Sequence, residues 1–245
     1  HIRYLEEQYD TPLFIREKKK LYLTDAGQIL KDSLETLQSD DHRMKIRMQQ
    51  SMAGKKGLTF GVTMTIGEYA VIPSLARFLK AHPQWEIHIC YGNTQTLLSR
   101  LREGTLDFAI VEGYFREDLY TTRILQKEPF IGVASSKHIF QKPVSCLRDL
   151  TGERLLLREH GSGTRAILTK ILALNNLSAE DFSHIIEIEN IHAIVSLLRE
   201  DCGISFLYQS AVQKELEDKT LIEIPLSDFK IAHDFSFIWN KDSIF

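Results

Sequence analysis

The sequence predicts an α/β fold in which a helix, a small hairpin and one long helix precede a domain of two α/β lobes. Three observations support this prediction. Residues 1–24 read as a helix and a hairpin with a basic tip, and residues 26–52 form one long amphipathic run. From residue 58 onward, strands and helices alternate. With 245 residues, 43% of them hydrophobic and 26% charged, the chain is long enough for these units.

Net charge and cysteine spacing restrict the classes of function. The formal net charge is −3, so contact with nucleic acid requires a local basic patch. Cys90, Cys146 and Cys202 lie far apart without CxxC spacing, and the histidines are scattered, so we expect no disulfide framework and no metal site. The sequence contains neither a signal peptide nor an apolar run long enough to span a bilayer. We expect a reduced, cytoplasmic setting without membrane contact.

The first element is the end of an amphipathic helix, residues 1–9, which stops at Asp10-Thr11-Pro12. Two short apolar strands follow at residues 13–15 and 21–23. The segment between them, Arg16-Glu17-Lys18-Lys19-Lys20, is strongly basic. A helix followed by a basic hairpin is typical of a winged helix. The alternative explanation of the basic tip is a solvated turn that keeps a strand edge soluble.

The second element is a long helix that begins after an N-cap formed by Thr24 and Asp25. Its heptad seam, at alternating steps of four and three residues, consists of Leu30, Leu34, Leu37, Asp41, Met44 and Met48. Such a seam requires a partner chain, so we expect a homodimer or homotetramer. Packing on the chain's own body is the alternative, and the charged remaining face leaves little surface for it. Residues 51–57, SMAGKKG, are the predicted linker.

Strands and helices then alternate in two sets. In the first set, strands 58–62, 86–91 and 107–111 alternate with helices 68–81 and 95–103, an order that predicts a parallel sheet. Strand 125–135 leaves this set. The second set comprises strands 154–157, 185–189, 203–207 and 220–224, with a helix after residue 163 and helices 192–200 and 212–217. Strand 234–239 returns to the first set. Two lobes joined by two crossing strands therefore enclose a cleft.

Residues 155–176 combine a strand end, a Ser-Gly-Thr loop and an amphipathic helix. Gly161 and Gly163 allow backbone N–H groups to approach a bound group, and Ser162 and Thr164 add hydroxyl donors. The positive end of a helix dipole lies at the same place, with Arg165 as an optional charge partner. This pattern predicts a pocket for a small oxyanion or carboxylate. A capped helix after a tight turn is the alternative.

In open α/β sheets, ligands bind beyond the carboxyl ends of the strands. The loops at these ends of the first lobe contain Thr63 and Thr65, Asn93 and Thr94, and Glu112 with Gly113. Because these loops face the Ser162 loop across the cleft, their convergence favours a small polar ligand over a mere helix cap.

Five segments resemble landmarks of the LysR-type transcriptional regulators, in order along the whole chain. Residues 2–27, IRYLEEQYDTPLFIREKKKLYLTDAG, resemble the end of that family's recognition helix and its wing. Its effector-domain landmarks are matched by LTFGVTMTIGEYAVIPSLARFLKAHP, LREGTLDFAIVEG, REHGSGTR and CGISFLY. The resemblance implies a partial winged helix, residues 1–24, and a dimerising linker helix, residues 25–55. Residues 56–245 then form a two-lobed, periplasmic-binding-protein-like effector domain, with lobe I at about 56–130 plus 236–245 and lobe II at about 131–235.

The resemblance also implies roles for individual residues. Contacts with double-stranded DNA fall at Arg3, Arg16, Lys18, Lys19 and Lys20. Effector contacts fall at Thr63, Thr65, Thr94, Ser162 and Thr164, to which the loop chemistry adds Asn93, Gly163 and Arg165. The front of the helix-turn-helix and the family's closing helix are missing from the chain. We therefore expect the chain to lack full DNA-binding competence.

We predict a DNA-binding transcription regulator controlled by a small anionic effector that binds between the lobes. The alternative is a solute-binding protein with the same cleft and no DNA role, but such proteins are usually exported and would not need residues 1–55. Catalysis and a cofactor are not expected. Ser162 near His160 does not form G-x-S-x-G, and loop neighbours two apart point in different directions.

Overall fold

The N-terminal helix and hairpin fold as predicted in a computed structural model that describes residues 1–52, 56–241 and 243. Helix α1 spans Ile2–Gln8, and strands β1 (Phe14–Glu17) and β2 (Lys20–Leu23) pair antiparallel. Lys18 and Lys19 form the turn with φ of 44° and 69°. The Glu6 carboxylate accepts a hydrogen bond from the N–H of Leu13 at 2.8 Å, which fixes α1 to the hairpin.

Helix α2 (Asp25–Met52) is the long linker helix. Thr24 caps it, because its hydroxyl accepts a hydrogen bond from the N–H of Gly27 at 2.9 Å. Residues 53–55 of the predicted linker lie outside the described residues. Strand β3 begins at Lys56.

The prediction that charge keeps α2 away from its own body is wrong. Arg43 is buried and its guanidinium Nη2 lies 3.0 Å from Oδ1 of Asp107 in lobe I. Ser39 is also buried, and its hydroxyl accepts a hydrogen bond from Asn240 Nδ2 at 3.0 Å. The heptad seam points the other way: Leu34 is 50% exposed and Leu37 is 64% exposed. The helix thus packs its polar face on lobe I and leaves its apolar seam uncovered within the chain.

Lobe I is built on three parallel strands, β3 (Lys56–Val62), β4 (Trp85–Tyr91) and β5 (Phe108–Val111). Its helices are α3 (Ile72–Ala81) and α4 (Thr94–Arg102). The predicted helix 68–81 is in fact two pieces, because a π-helical turn at Ile66–Ala70 precedes α3. Pro73 lies in the first turn of α3, where its missing N–H leaves no hydrogen bond unmade.

Lobe II contains the parallel pair β7 (Arg154–Leu157) and β8 (His184–Glu187), with β9 (Ser205–Tyr208) and β10 (Leu221–Glu223). Its helices are α5 (Gly163–Leu174), α6 (Ile191–Arg199) and α7 (Gln213–Glu217). Strand β8 ends two residues earlier than predicted. The chain must turn there because Asn190 caps α6, accepting a hydrogen bond from the N–H of Ala193 at 3.1 Å.

Two crossing strands join the lobes, as predicted. Strand β6 (Tyr120–Ser135) pairs antiparallel with β11 (Ile231–Asn240), and its C-terminal part also pairs with β9 and β10. Both crossing strands are longer than the sequence indicated, and their register shifts between Phe235 and Ser236. Near this shift the rings of Tyr208 and Phe235 pack 4.7 Å apart. Among the described residues, no helix is long and apolar enough to cross a lipid bilayer.

Candidate functional site

The Ser162 loop connects β7 to α5. Gly161 has φ of +88°, a conformation that favours glycine, and Ser162 follows as the N-cap residue with extended backbone. The Ser162 hydroxyl does not cap the helix. It lies 2.7 Å from the hydroxyl of Thr164, and both side chains are buried. The twelve-residue helix α5 therefore presents first-turn N–H groups, and the positive end of its dipole, without a side-chain cap from Ser162.

Lobe I touches this loop directly. The backbones of Gly163 and Glu112 are so close that a Cβ on Gly163 would lie 2.3 Å from the carbonyl oxygen of Glu112. A Cβ on Gly113, where φ is +94°, would lie 2.6 Å from the Cα of Gly163. The N–H of Gln95 donates to the carbonyl of Gly161 at 3.2 Å. A larger residue at Gly113 or Gly163 would push the two lobes apart, so these two glycines permit the contact.

Glu112 lies at the centre of this contact. Its side chain is only 2% exposed, and its carboxylate accepts a hydrogen bond from the hydroxyl of Thr63. Thr94 donates to its backbone carbonyl at 2.8 Å. Burial raises the pKa of Glu112 to about 7, against the opposing effects of the Thr63 hydrogen bond and the charge of Arg158. The sequence predicts that the Thr63 hydroxyl contacts an anionic effector. In the structure this hydroxyl donates instead to the carboxyl group of Glu112, whose pKa is about 7.

The buried hydroxyls of Thr65 and Tyr208 have no hydrogen-bond partner among the described residues. Thr65 and Tyr208 are both fully buried. Thr65 precedes the π-helical turn, which packs on the short 3-10 turn Gln209–Ala211 directly after Tyr208. Burial raises the pKa of Tyr208, and the charge of Glu112 raises it further. Each unpartnered hydroxyl costs about 1–3 kcal/mol. We call this region, formed by Thr63, Thr65, Glu112, Ser162, Gly163, Thr164 and Tyr208, the lobe junction.

A cleft of about 560 Å³ opens on one side of the Ser162 loop. Asn93 lines it and also caps α4, since its side chain accepts a hydrogen bond from the N–H of Thr96 at 2.9 Å. The buried guanidinium of Arg158 lines it too and donates two hydrogen bonds to Glu159, at 2.8 and 3.1 Å. The charges in this cleft are therefore mostly paired within the chain.

A groove of about 710 Å³ opens on the other side of the loop. Thr94, Ser162, Gly163 and Arg165 line it, although Arg165 already donates to the carbonyl of Arg158 and pairs with Glu187. The predicted effector residues are thus divided. Thr94, Ser162, Gly163 and Arg165 line this groove, Asn93 lines the cleft, and Thr63, Thr65 and Thr164 are buried in the lobe junction.

Sequence reasoning named Glu112 only as a strand exit and did not identify Arg158 or Tyr208. The carboxylate of Glu112 directly follows an apolar strand, and a charged group at such an exit was the one available signal. The burial of Arg158 and Tyr208 depends on tertiary packing that no local pattern contains.

The predicted DNA contacts lie at the opposite end of the chain. Arg3 is exposed on α1, and Arg16, Lys18, Lys19 and Lys20 are exposed on the β1–β2 hairpin. Four positive charges therefore project from one small hairpin. Their contact with DNA stays a prediction.

Comparison with known proteins identifies the larger part of the chain. Residues 54–244 match the family model described as LysR substrate binding domain. The HTH-type transcriptional regulator CysL of Bacillus subtilis (strain 168) is 26% identical over 240 residues, which cover 97% of this chain and 79% of that protein. The Synechocystis PCC6803 CcmR regulatory domain, solved with 2-PG, has a TM-score of 0.67 at 20% identity and covers 77% of this chain and 89% of its own. The effector-binding domain of QuiR, solved with shikimate, has a TM-score of 0.65 at 20% identity. The match covers 77% of this chain and 88% of the QuiR chain.

Proposed function

Because the chain belongs to the LysR family, we propose that it is a DNA-binding transcription regulator controlled by a small anionic effector bound between its lobes. CysL, which aligns with nearly the whole chain, is itself a transcriptional regulator. The protein acts in the cytoplasm as a homodimer or homotetramer, and it is not an enzyme. The Ser162 hydroxyl pairs with Thr164, and His160 contacts Arg165 instead, so His160 is not positioned to activate the serine.

The basic hairpin supports the DNA-binding half of this proposal. Its turn residues Lys18 and Lys19 adopt positive φ and form the tip of the hairpin. All four hairpin cations are exposed, and such charges bind phosphate without reading sequence.

Replacing Lys18, Lys19 and Lys20 together by alanine weakens binding of the full-length protein to every duplex tested. Fewer counterions are released on binding when phosphate contacts are lost. The slope of log K against log salt therefore becomes shallower by roughly one for each lost contact. Fluorescence anisotropy with specific and unrelated duplexes over a salt series measures both effects. Lys80→Ala, on α3, is the control. An unchanged salt slope in the triple variant removes the hairpin from the DNA contacts.

The lobe junction supports the effector-binding half. The N-terminus of α5, which has no side-chain cap from Ser162, contacts lobe I at Glu112, and the buried hydroxyls of Thr65 and Tyr208 have no hydrogen-bond partner among the described residues. A small anion can accept from these donors and remove the penalty of the buried hydroxyls. CcmR and QuiR, which share this fold, are solved with 2-PG and with shikimate.

Ligand entry requires the lobes to separate, because Gly113 and Gly163 are in backbone contact. Separation twists β6 and β11, the two strands that cross between lobes. Asn240 at the end of β11 donates hydrogen bonds both to Ser39 of α2 and to the carbonyl of Leu101. The effector therefore shifts the angle between lobes, and this contact transmits the shift to the linker helix.

Ser162→Ala and Thr164→Ala each weaken effector binding about tenfold to a hundredfold, because a hydrogen bond to a charged group contributes roughly 1.5–3 kcal/mol. DNA binding without effector stays near wild type, since neither residue contacts the hairpin. Isothermal titration with the best stabiliser from a thermal-shift screen of sulfate, phosphate and common carboxylates measures the loss. Ser183→Ala, on the surface of lobe II, is the control. Equal affinity in all four proteins would contradict the assignment of this loop.

A further inference from the structure

We propose that residues 64–70 of lobe I form a latch, which holds lobe II closed against lobe I before any effector binds. The latch consists of Met64, the π-helical turn Ile66–Ala70 and the contact of this turn with His192 of α6. It uses a different part of lobe II from the Ser162 loop. The inference goes beyond the proposed function, since the latch requires neither effector nor DNA.

Close packing fixes the turn on lobe I. The N–H of Val71 donates to the carbonyl of Ile66 at 3.0 Å, the i to i+5 hydrogen bond of a π-helix. A Cβ on Gly67 would lie 2.5 Å from the ring of Tyr91 and 2.6 Å from a methyl group of Val62. Only glycine fits without a shift at this position, so the turn lies directly on the sheet of lobe I.

Apolar side chains of the same segment pack on lobe II. Met64 and Tyr69 are partly buried against the apolar cluster that α6 forms with β7 and β9. The turn also packs on the 3-10 turn Gln209–Ala211. Burial raises the pKa of Tyr69 to about 12, and the charges of Glu68 and Glu215 raise it further in the same direction. Opening of the lobes returns this apolar surface to water, which opposes the opening.

His192, the second residue of α6, supplies the polar part of the latch. Its Nε2 lies 2.5 Å from Oε2 of Glu68, and its Nδ1 lies 3.4 Å from the hydroxyl of Tyr69. Oε2 of Glu68 forms no hydrogen bond among the residues that the structure describes, so this contact is an ion pair. A protonated imidazole has one donor for each partner. Because the His192 side chain is 61% exposed, the pair contributes less than the packing of Tyr69.

A hydrogen bond at the Ser162 loop reports whether the lobes are closed. There the N–H of Gln95 in lobe I donates to the carbonyl of Gly161 in lobe II at 3.2 Å. If the latch holds the lobes together, a substitution in the latch also breaks this bond more often. Exchange of the Gln95 amide hydrogen with solvent therefore measures lobe opening at a site that the substitution leaves unchanged.

Hydrogen exchange without effector, at one pH so that the intrinsic exchange rates are equal, tests the latch. We expect Tyr69→Ala to raise the exchange rate of the Gln95 amide at least about tenfold, because opening then exposes less apolar surface. We expect His192→Gln to raise the rate about threefold, as suits an exposed ion pair. Adding Glu68→Gln to His192→Gln has little further effect, because the pair is already broken. His184→Gln, which replaces an exposed histidine on β8, is the matched control and exchanges like the wild type.

Amides inside β3 and inside β9 distinguish lobe opening from unfolding, because β3 pairs within lobe I and β9 pairs within lobe II. Their exchange stays at the wild-type rate if only the lobes open. A wild-type rate at Gln95 in Tyr69→Ala overturns the latch. If Tyr69→Ala accelerates exchange equally in β3 and β9, it loosens the whole fold, and His192→Gln then decides. A wild-type rate at Gln95 in His192→Gln overturns the latch in that case.

Discussion

Replacing Leu30, Leu34 and Leu37 together by alanine converts the oligomer into folded monomers at micromolar concentration. Leu34 and Leu37 are half-exposed or more within one chain, so their truncation removes little from the fold of the monomer. If a second chain buries them fully, each truncation costs about 2–5 kcal/mol of association free energy. Sedimentation velocity measures the change in mass, and circular dichroism checks that the helix content remains.

Ile29→Ala is the matched control for this experiment. Ile29 lies on the same helix and is 68% exposed, but it is not part of the heptad seam. We expect this variant to remain an oligomer. If the triple leucine variant sediments like the wild type, the seam is not the contact between chains.

Glu112→Gln makes the protein more stable at pH 8, by about 3 kcal/mol, and has no such effect below pH 4.5. The pKa of Glu112 rises from 4.5 to about 7 on folding, and each unit corresponds to about 1.4 kcal/mol. Between these two pH values the folded protein holds a proton that the unfolded chain has released. The stability of the wild type therefore falls through this window as the pH rises, whereas glutamine has no proton to lose.

Urea unfolding at a series of pH values between 4 and 8 measures this difference. Other carboxyl groups also change the stability with pH, but they do so equally in both proteins, so the difference between wild type and variant isolates Glu112. Glu223→Gln, on an exposed edge of lobe II, should track the wild type across the series. A difference between wild type and Glu112→Gln that does not change with pH would show that Glu112 does not titrate in this window.

The order of elements and the two-lobed fold follow from the sequence because they depend on local patterns. Apolar periodicity separates strands from helices, and Thr24 and Asn93 cap α2 and α4 through groups three residues away. The packing of α2 does not follow. Arg43 pairs with Asp107, and Ser39 with Asn240, across long stretches of chain, so a charged helix face that reads as solvated is in fact buried.

The candidate site is also only partly readable from sequence. Strand exits and the Ser162 loop are local features, and the rule for open α/β sheets predicts that they meet. The structure divides these residues among the lobe junction, the groove and the cleft. The burial of Glu112 and the unpartnered hydroxyls of Thr65 and Tyr208 arise only from tertiary packing. The sequence therefore indicates the position of the candidate site, whereas the burial and hydrogen bonding of its side chains depend on tertiary contacts.

Asn240 connects the long helix α2 to lobe I. Its amide joins Ser39 of α2 to the carbonyl of Leu101, and Arg43 adds an ion pair on the same side. Under the proposed function, lobe I and α2 therefore move together and lobe II moves relative to both. In a symmetric pair of chains the same displacement occurs in each chain, so we expect its effect on the separation of the two basic hairpins, and on the spacing of the DNA half-sites proposed for them, to be doubled.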